Sequence, residues 1–73
     1  MKANTVLAEN AYNYILDEIL KGRIQPGERI REDEIADEMG TSRTPVREAV
    51  NQLIQNGFIK YIKRKVLYCV QYN

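Results

Sequence analysis

With 73 residues the chain has room for one small domain, which buries only roughly 60–65 % of its unfolded surface and leaves no space for an enzyme built around a deep pocket. Its 44 % hydrophobic and 29 % charged residues are those of a globular chain, and no apolar run approaches the roughly 20 residues that would span a bilayer, so disorder and membrane insertion are excluded. The net charge of +1 hides a split: Met1 to Gly40 carries five basic and nine acidic side chains, whereas Thr41 to Asn73 carries six basic ones against Glu48 alone.

No charged stretch followed by an apolar one opens the chain, and the single cysteine, Cys69, cannot form an internal disulfide, so a reducing cytoplasm is the expected compartment. Apolar residues at Leu7, Ala11, Tyr12, Ile15, Leu16, Ile19 and Leu20 recur at helical spacing and predict a first helix over about residues 6–21, closed by Gly22. Arg23 to Glu28 then breaks the helix, because Pro26 lacks a donor, biases Gln25 towards extended backbone and forms a turn signal with Gly27. Ile24 and Ile30 are expected to tuck into the core on either side.

A second, short helix is predicted over about residues 32–39, with Ile35, Ala36 and Met39 inward and Glu32, Asp33 and Glu34 in the first turn, where they complement the positive end of the helix dipole. Only Gly40-Thr41-Ser42 separates it from a third helix over about residues 43–56, a spacing suited to a helix-turn-helix. Pro45 falls in the first turn, where its missing N–H costs no intrahelical bond, and Asn56-Gly57 ends the helix. The period places Val46, Ala49, Val50 and Leu53 on one face and Arg43, Thr44, Arg47 and Asn51 on another, so one face can pack while the other touches a base edge or a phosphate.

After Gly57 the pattern turns β-branched and aromatic: Phe58-Ile59-Lys60-Tyr61-Ile62 and Val66-Leu67-Tyr68-Cys69-Val70 read as a hairpin over about residues 58–70 with a basic tip at Lys63-Arg64-Lys65. A tip without Gly, Asn or Pro does not readily take the positive φ angles of a tight turn, which predicts a wider loop. A short strand near Arg29-Ile30 can add to the sheet. The expected fold is mainly α with a small antiparallel β-hairpin, a winged helix-turn-helix formed by residues 1–73 as a single domain, with the third helix as recognition helix.

Three strings carry a family resemblance: Pro26-Gly27-Glu28-Arg29-Ile30-Arg31-Glu32-Asp33-Glu34-Ile35-Ala36, Gly40-Thr41-Ser42-Arg43-Thr44-Pro45-Val46-Arg47-Glu48-Ala49, and Asn56-Gly57-Phe58-Ile59. From roughly Tyr12 to Val70 the chain resembles the N-terminal DNA-binding domain of GntR-family bacterial transcription regulators, most of all the FadR branch. The resemblance implies sequence-specific binding of double-stranded DNA. Ser42, Arg43, Thr44 and Arg47 match the positions at which the family contacts DNA at the head of the recognition helix, and Pro45, within the same motif, is expected to join them as a DNA-binding residue. It further implies homodimers on palindromic operators and a small-molecule effector held by a following all-helical domain, which the 73 residues do not contain. One departure stands out: Val66 occupies the place of the family's usual wing-tip glycine, which puts the wing's minor-groove contact in question.

Each site residue has a plainer reading beside the functional one. Arg43 and Arg47 can read guanine edges or hold phosphates, or they can be solvated and bridge nearby carboxylates. Ser42 and Thr44 can cap the helix, contact phosphate, or do both. Asn51 has the amide geometry to recognise adenine, or it sits beyond the groove in solvent. Lys63, Arg64 and Lys65 hold phosphate or protect an edge strand from aggregation. The five tyrosines are scattered over different elements and are expected to pack against the core or lie half-buried, Cys69 to be a small half-buried strand residue, and Glu34, Asp37 and Glu38 to be a solvated helix face. Without histidine, a glycine-rich phosphate loop or carboxylates flanking a cleft, neither catalysis nor a cofactor or metal is expected. The competing function is a winged-helix protein-interaction or oligomerisation module with no specific DNA target, using its acidic helices or hairpin as the contact surface.

Overall fold

The computed structural model describes the backbone of residues 2–62 and 66–69 and the side chains of residues 6–62. Three helices, α1 (Lys2–Leu20), α2 (Glu32–Met39) and α3 (Arg43–Gln55), precede two strands, β1 (Ile59–Ile62) and β2 (Val66–Cys69). The strands pair antiparallel with Ile59 opposite Cys69, Lys60 opposite Tyr68, Tyr61 opposite Leu67 and Ile62 opposite Val66. The strand expected near Arg29-Ile30 is reduced to a single-residue β-bridge at Arg29. The predicted tip Lys63-Arg64-Lys65 and the end of the hairpin at Val70 lie outside the described residues.

α2 and α3 fall where the periodicity puts them, and one device ends all three helices. At the end of α2, Gly40 sits at φ +72°, its N–H bonds Asp37 C=O at 3.2 Å, and Thr41 N–H reaches back to Ala36 C=O at 2.9 Å. Only glycine takes this left-handed position without strain, so the residue that stops α2 also makes the tight reversal into α3. The same pair of bonds closes α1 through Gly22 and Arg23, and α3 through Gly57 and Phe58. Between α1 and α2 the Pro26-Gly27 turn is closed from both sides. Glu28 N–H bonds Gln25 C=O at 3.0 Å, while the Glu28 carboxylate accepts Gln25 N–H at 2.7 Å.

The core forms where the inner faces of the three helices meet the first strand. Ala11 and Ile15 from α1, Ile35 and Ala36 from α2, Val46, Ala49, Val50 and Leu53 from α3, Ile30 and Ile59 are all buried, with Ile24, Met39, Ile54 and Phe58 packed around them. α1 departs from expectation at both ends. It begins at Lys2, earlier than the apolar stripe suggests, and Leu20, expected inward, is 65 % exposed. At about 100° per residue Leu20 lies about 140° round from Ile15, so a stripe centred on Ala11 and Ile15 cannot include it. Across the helices, Asn56 Nδ2 donates to the Tyr12 hydroxyl at 2.7 Å and ties the end of α3 to α1.

The Tyr14 hydroxyl donates to Glu38 Oε1 and joins α1 to α2. That hydrogen bond, followed by burial and by the charges of Glu38 and Glu18, pushes the Tyr14 pKa up to about 12 from its ordinary 10.0. A pKa raised in the folded state stabilises the fold below the unfolded value, and this contribution disappears as pH rises through the folded one. Between about pH 10 and pH 12 the melting temperature should therefore fall more steeply for the native chain than for Tyr14→Phe. Parallel curves would show that the bond contributes nothing.

Candidate nucleic-acid interface

Ser42 occupies the N-cap of α3 with extended backbone (φ −76°, ψ 173°), yet its hydroxyl makes no capping bond. The N–H groups of the first turn are therefore not taken up by a side-chain cap at the positive end of the helix dipole, where an anion is favoured. Pro45 departs from the expectation that it joins the contact residues, because its ring is fully buried. Its part is to start the helix and seal the core beneath that first turn.

Ser42, Arg43, Thr44, Arg47 and Asn51 are all exposed. Arg43, Arg47 and Asn51, spaced four apart, form one stripe along α3. That stripe is one wall of a groove of about 850 Å³ whose other wall is Arg29 to Asp33, with Ile54 and Tyr61 also lining it. Four guanidinium groups, Arg29, Arg31, Arg43 and Arg47, thus share one concavity with two carboxylates, Glu32 and Asp33. Glu32 Oε1 pairs with Arg47 Nε at 3.4 Å, and Arg31 Nε lies 3.8 Å from Glu34. Among the described residues Arg29 and Arg43 have no ion-pair partner.

Four other acidic side chains gather elsewhere. Glu18, Glu28, Glu34 and Glu38 line a smaller cleft of about 400 Å³ between α1 and α2, with Tyr14 and the Arg29–Arg31 segment. α2 divides its carboxylates between the two, with Glu34 and Glu38 turned towards this cleft and Glu32 and Asp33 adjoining the arginine groove. A groove with excess positive charge concentrates field lines and attracts polyanions.

Sequence reasoning missed Arg29, Arg31 and Tyr61. The arginines lie in the string that carries the family resemblance, which was a usable signal. Tyr61 was expected among the packing tyrosines, as Tyr12 and Tyr14 indeed are, but it is 52 % exposed and faces the groove. No periodicity in a four-residue strand announces that. Lys63, Arg64 and Lys65, the expected wing contacts, lie outside the described residues. Among the described residues no helix is long and apolar enough to cross a membrane, and no cluster of His, Cys, Asp or Glu is placed to hold a metal.

Three helices with a tight turn between the second and third, followed by an antiparallel hairpin, define a winged helix-turn-helix protein. The profile of the bacterial regulatory proteins of the gntR family matches residues 7–68, and the chain belongs to that family as the helix-turn-helix DNA-binding domain of a transcriptional regulator. It is 43 % identical over 56 residues to a probable D-xylose utilization operon transcriptional repressor of Paenarthrobacter nicotinovorans, covering 77 % of this chain and 25 % of that protein. Among solved structures it superposes with TM-score 0.83 on one described by the words "Lar controls the expression of the Listeria monocytogenes agr system and mediates virulence", at 30 % identity over 88 % of this chain and 30 % of that one. YtrA from Sulfolobus acidocaldarius, a GntR-family transcription factor, superposes with TM-score 0.69 at 30 % identity over 90 % of this chain and 56 % of that one. The chain spans about a quarter of the length of the xylose repressor it matches.

Proposed function

We propose that the domain reads double-stranded DNA by laying α3 in the major groove. In this reading Arg43, Arg47 and Asn51 face base edges, and Ser42, Thr44 and the free N-terminus of α3 hold a phosphate. Arg29 and Arg31 extend the phosphate contact beyond α3, and Lys63, Arg64 and Lys65 follow the backbone from the wing. The observation that carries it is the single groove that gathers four arginines and Asn51 along the exposed face of α3. The fit is dimensional as well as electrostatic, since the major groove of B-DNA is wide enough, about 12 Å, to admit a helix.

The Pro26 to Ala36 string supports placement in the FadR branch, with action in the cytoplasm as one DNA-binding module of a homodimeric regulator on a palindromic operator. Regulation as a repressor fits the xylose relative's description. The isolated domain should bind weakly as a monomer. If it neutralises about five phosphates, log affinity should fall with log salt at a slope of about −4 to −5, and a slope near zero would contradict backbone neutralisation.

Incubating the purified domain with a randomised duplex pool at moderate salt and sequencing what it retains tests the proposal. Enrichment of a short motif, above all as an inverted repeat, supports it. Salt-sensitive retention without a motif would leave a backbone binder without sequence readout. No retention would favour a protein-binding module, for which the acidic α1–α2 cleft is the natural surface.

A further inference from the structure

Glu32 is an odd residue to find beside a surface that binds DNA. Its carboxylate lies in the arginine groove, where it would repel phosphate, and it sits in the first turn of α2 although Asp33 and Glu34 already complement the dipole there. Its side chain is only 18 % exposed, whereas that of its partner Arg47 is 63 % exposed. The pair spans fifteen residues of sequence and joins the start of α2 to the second turn of α3. Contact is made through Arg47 Nε. The two Nη nitrogens of Arg47 have no partner among the described residues.

These facts fit together if the carboxylate acts through the arginine. A guanidinium offers donors on two edges, and a carboxylate at Nε leaves the Nη pair to present two parallel N–H groups to a second planar acceptor. The O6 and N7 atoms of guanine in the major groove form such an acceptor pair. An unrestrained arginine on an exposed helix face samples many rotamers and can reach the nearest phosphate on any sequence. One tethered at Nε gives up that freedom, and swinging away to a phosphate would leave a half-buried carboxylate without its partner.

We propose that Glu32 is a positioning residue for Arg47: it holds the guanidinium by Nε so that its Nη fork meets guanine, raising sequence discrimination while lowering affinity for DNA in general. The proposal rests on the reading that α3 enters the major groove. Its signature is a change of opposite kind on the two classes of DNA. A residue that merely supported the fold would weaken both.

The test measures dissociation constants by fluorescence anisotropy for the duplex retained from the random pool and for a scrambled duplex of the same composition. The proteins are the native chain, Glu32→Gln, Glu32→Ala, Arg47→Ala and the double variant Glu32→Ala/Arg47→Ala. Glu32→Gln keeps the shape of the side chain and removes its charge, so it serves even where the alanine variant folds poorly; thermal melts of each protein report on that. Both Glu32 variants should lower the ratio of selected to scrambled affinity by about tenfold, the low end of what one bidentate arginine–guanine contact discriminates. Scrambled-duplex affinity should hold or rise, and Glu32→Ala should change nothing further once Arg47 is alanine. A native-like ratio in both Glu32 variants, or the same Glu32→Ala effect with and without Arg47, would overturn the proposal while leaving the major-groove reading intact. If Arg47→Ala itself leaves the selected duplex bound as tightly as before, Arg47 makes no base contact and this inference fails, whereas the major-groove reading fails only if replacing Arg43 and Arg47 together has no effect.

Discussion

Replacing Arg43 and Arg47 together with alanine should weaken binding to the selected duplex by about 10²–10³-fold, because each bidentate arginine–guanine contact supplies about 1–3 kcal/mol and every 1.4 kcal/mol is a factor of ten. The two side chains lie on the one stripe of α3 that is both exposed and aimed into the groove, and no other exposed arginine shares that helix. The fold should survive. Arg43 has no ion-pair partner among the described residues, and an exposed pair such as Arg47 with Glu32 contributes only about 0–1 kcal/mol. A gel-shift titration alongside a circular-dichroism melt separates the two effects. Unchanged affinity with an unchanged melt would remove α3 from the interface. The salt slope adds a second reading of the same variant: if the arginines hold phosphates instead of bases, the slope becomes shallower by about 1.8 and scrambled DNA is affected as much as selected DNA.

Leu53→Ala should destabilise the domain by about 2–5 kcal/mol, the range for truncating a fully buried leucine where the surroundings collapse only in part. Leu53 is completely buried, and its C=O accepts Phe58 N–H at 2.9 Å, so it anchors both the core and the exit from α3 into the wing. A chain of this size commands only about 4–11 kcal/mol in total, so the loss consumes a large share of it and should lower the melting temperature by more than about 10 °C. Leu20→Ala is the matched control, since Leu20 is 65 % exposed and its truncation should stay within about 0.5 kcal/mol. Equal melts for the two variants would show that the core does not lie where α1, α3 and β1 meet. Loss of DNA binding in Leu53→Ala would follow unfolding and carry no information about contacts.

What the sequence discloses here is periodic and local. Ile35 and Ala36 in α2, and Val46, Ala49, Val50 and Leu53 in α3, repeat at the helical period over enough turns to define an inner face, and glycines mark where each helix stops. By complement the same period defines the outer stripe of Arg43, Arg47 and Asn51. Leu20 escaped this logic because an apolar residue at a helix end joins the stripe by eye although its angle excludes it. Pro45 escaped it because belonging to a motif says nothing about which way a ring points. The second wall of the groove is a tertiary feature. Arg29 and Arg31 reach it only because the Pro26-Gly27 turn folds the chain back and Ile30 anchors the segment in the core. Glu32 meets Arg47 only because Gly40 turns α3 across the start of α2. Tyr61 adjoins them because β1 runs with Ile59 inward, so that the residue two places on shares its face.

The charge pattern shows the same limit. Along the sequence Glu32, Asp33 and Glu34 form one acidic run, and nothing local sets the first two apart from Glu34. The helix separates them by rotation. The first two adjoin the arginines, and Glu34 turns with Glu38 to α1, where Tyr14 donates to Glu38. A net charge of +1 is therefore compatible with a nucleic-acid interface, because only two of the ten acidic side chains line the arginine groove.

The central claim is that the groove formed by α3 and the Arg29–Asp33 segment is where DNA binds, and titrating the ¹⁵N-labelled domain with the selected duplex while following backbone amide shifts tests it most directly. The largest perturbations should fall on Ser42 to Thr44, Val46, Arg47, Asn51, Arg29 to Asp33 and Tyr61, with the α1–α2 cleft around Tyr14 and Glu38 almost unmoved. Perturbations centred on that acidic cleft, or spread evenly with the α3 face silent, would contradict it.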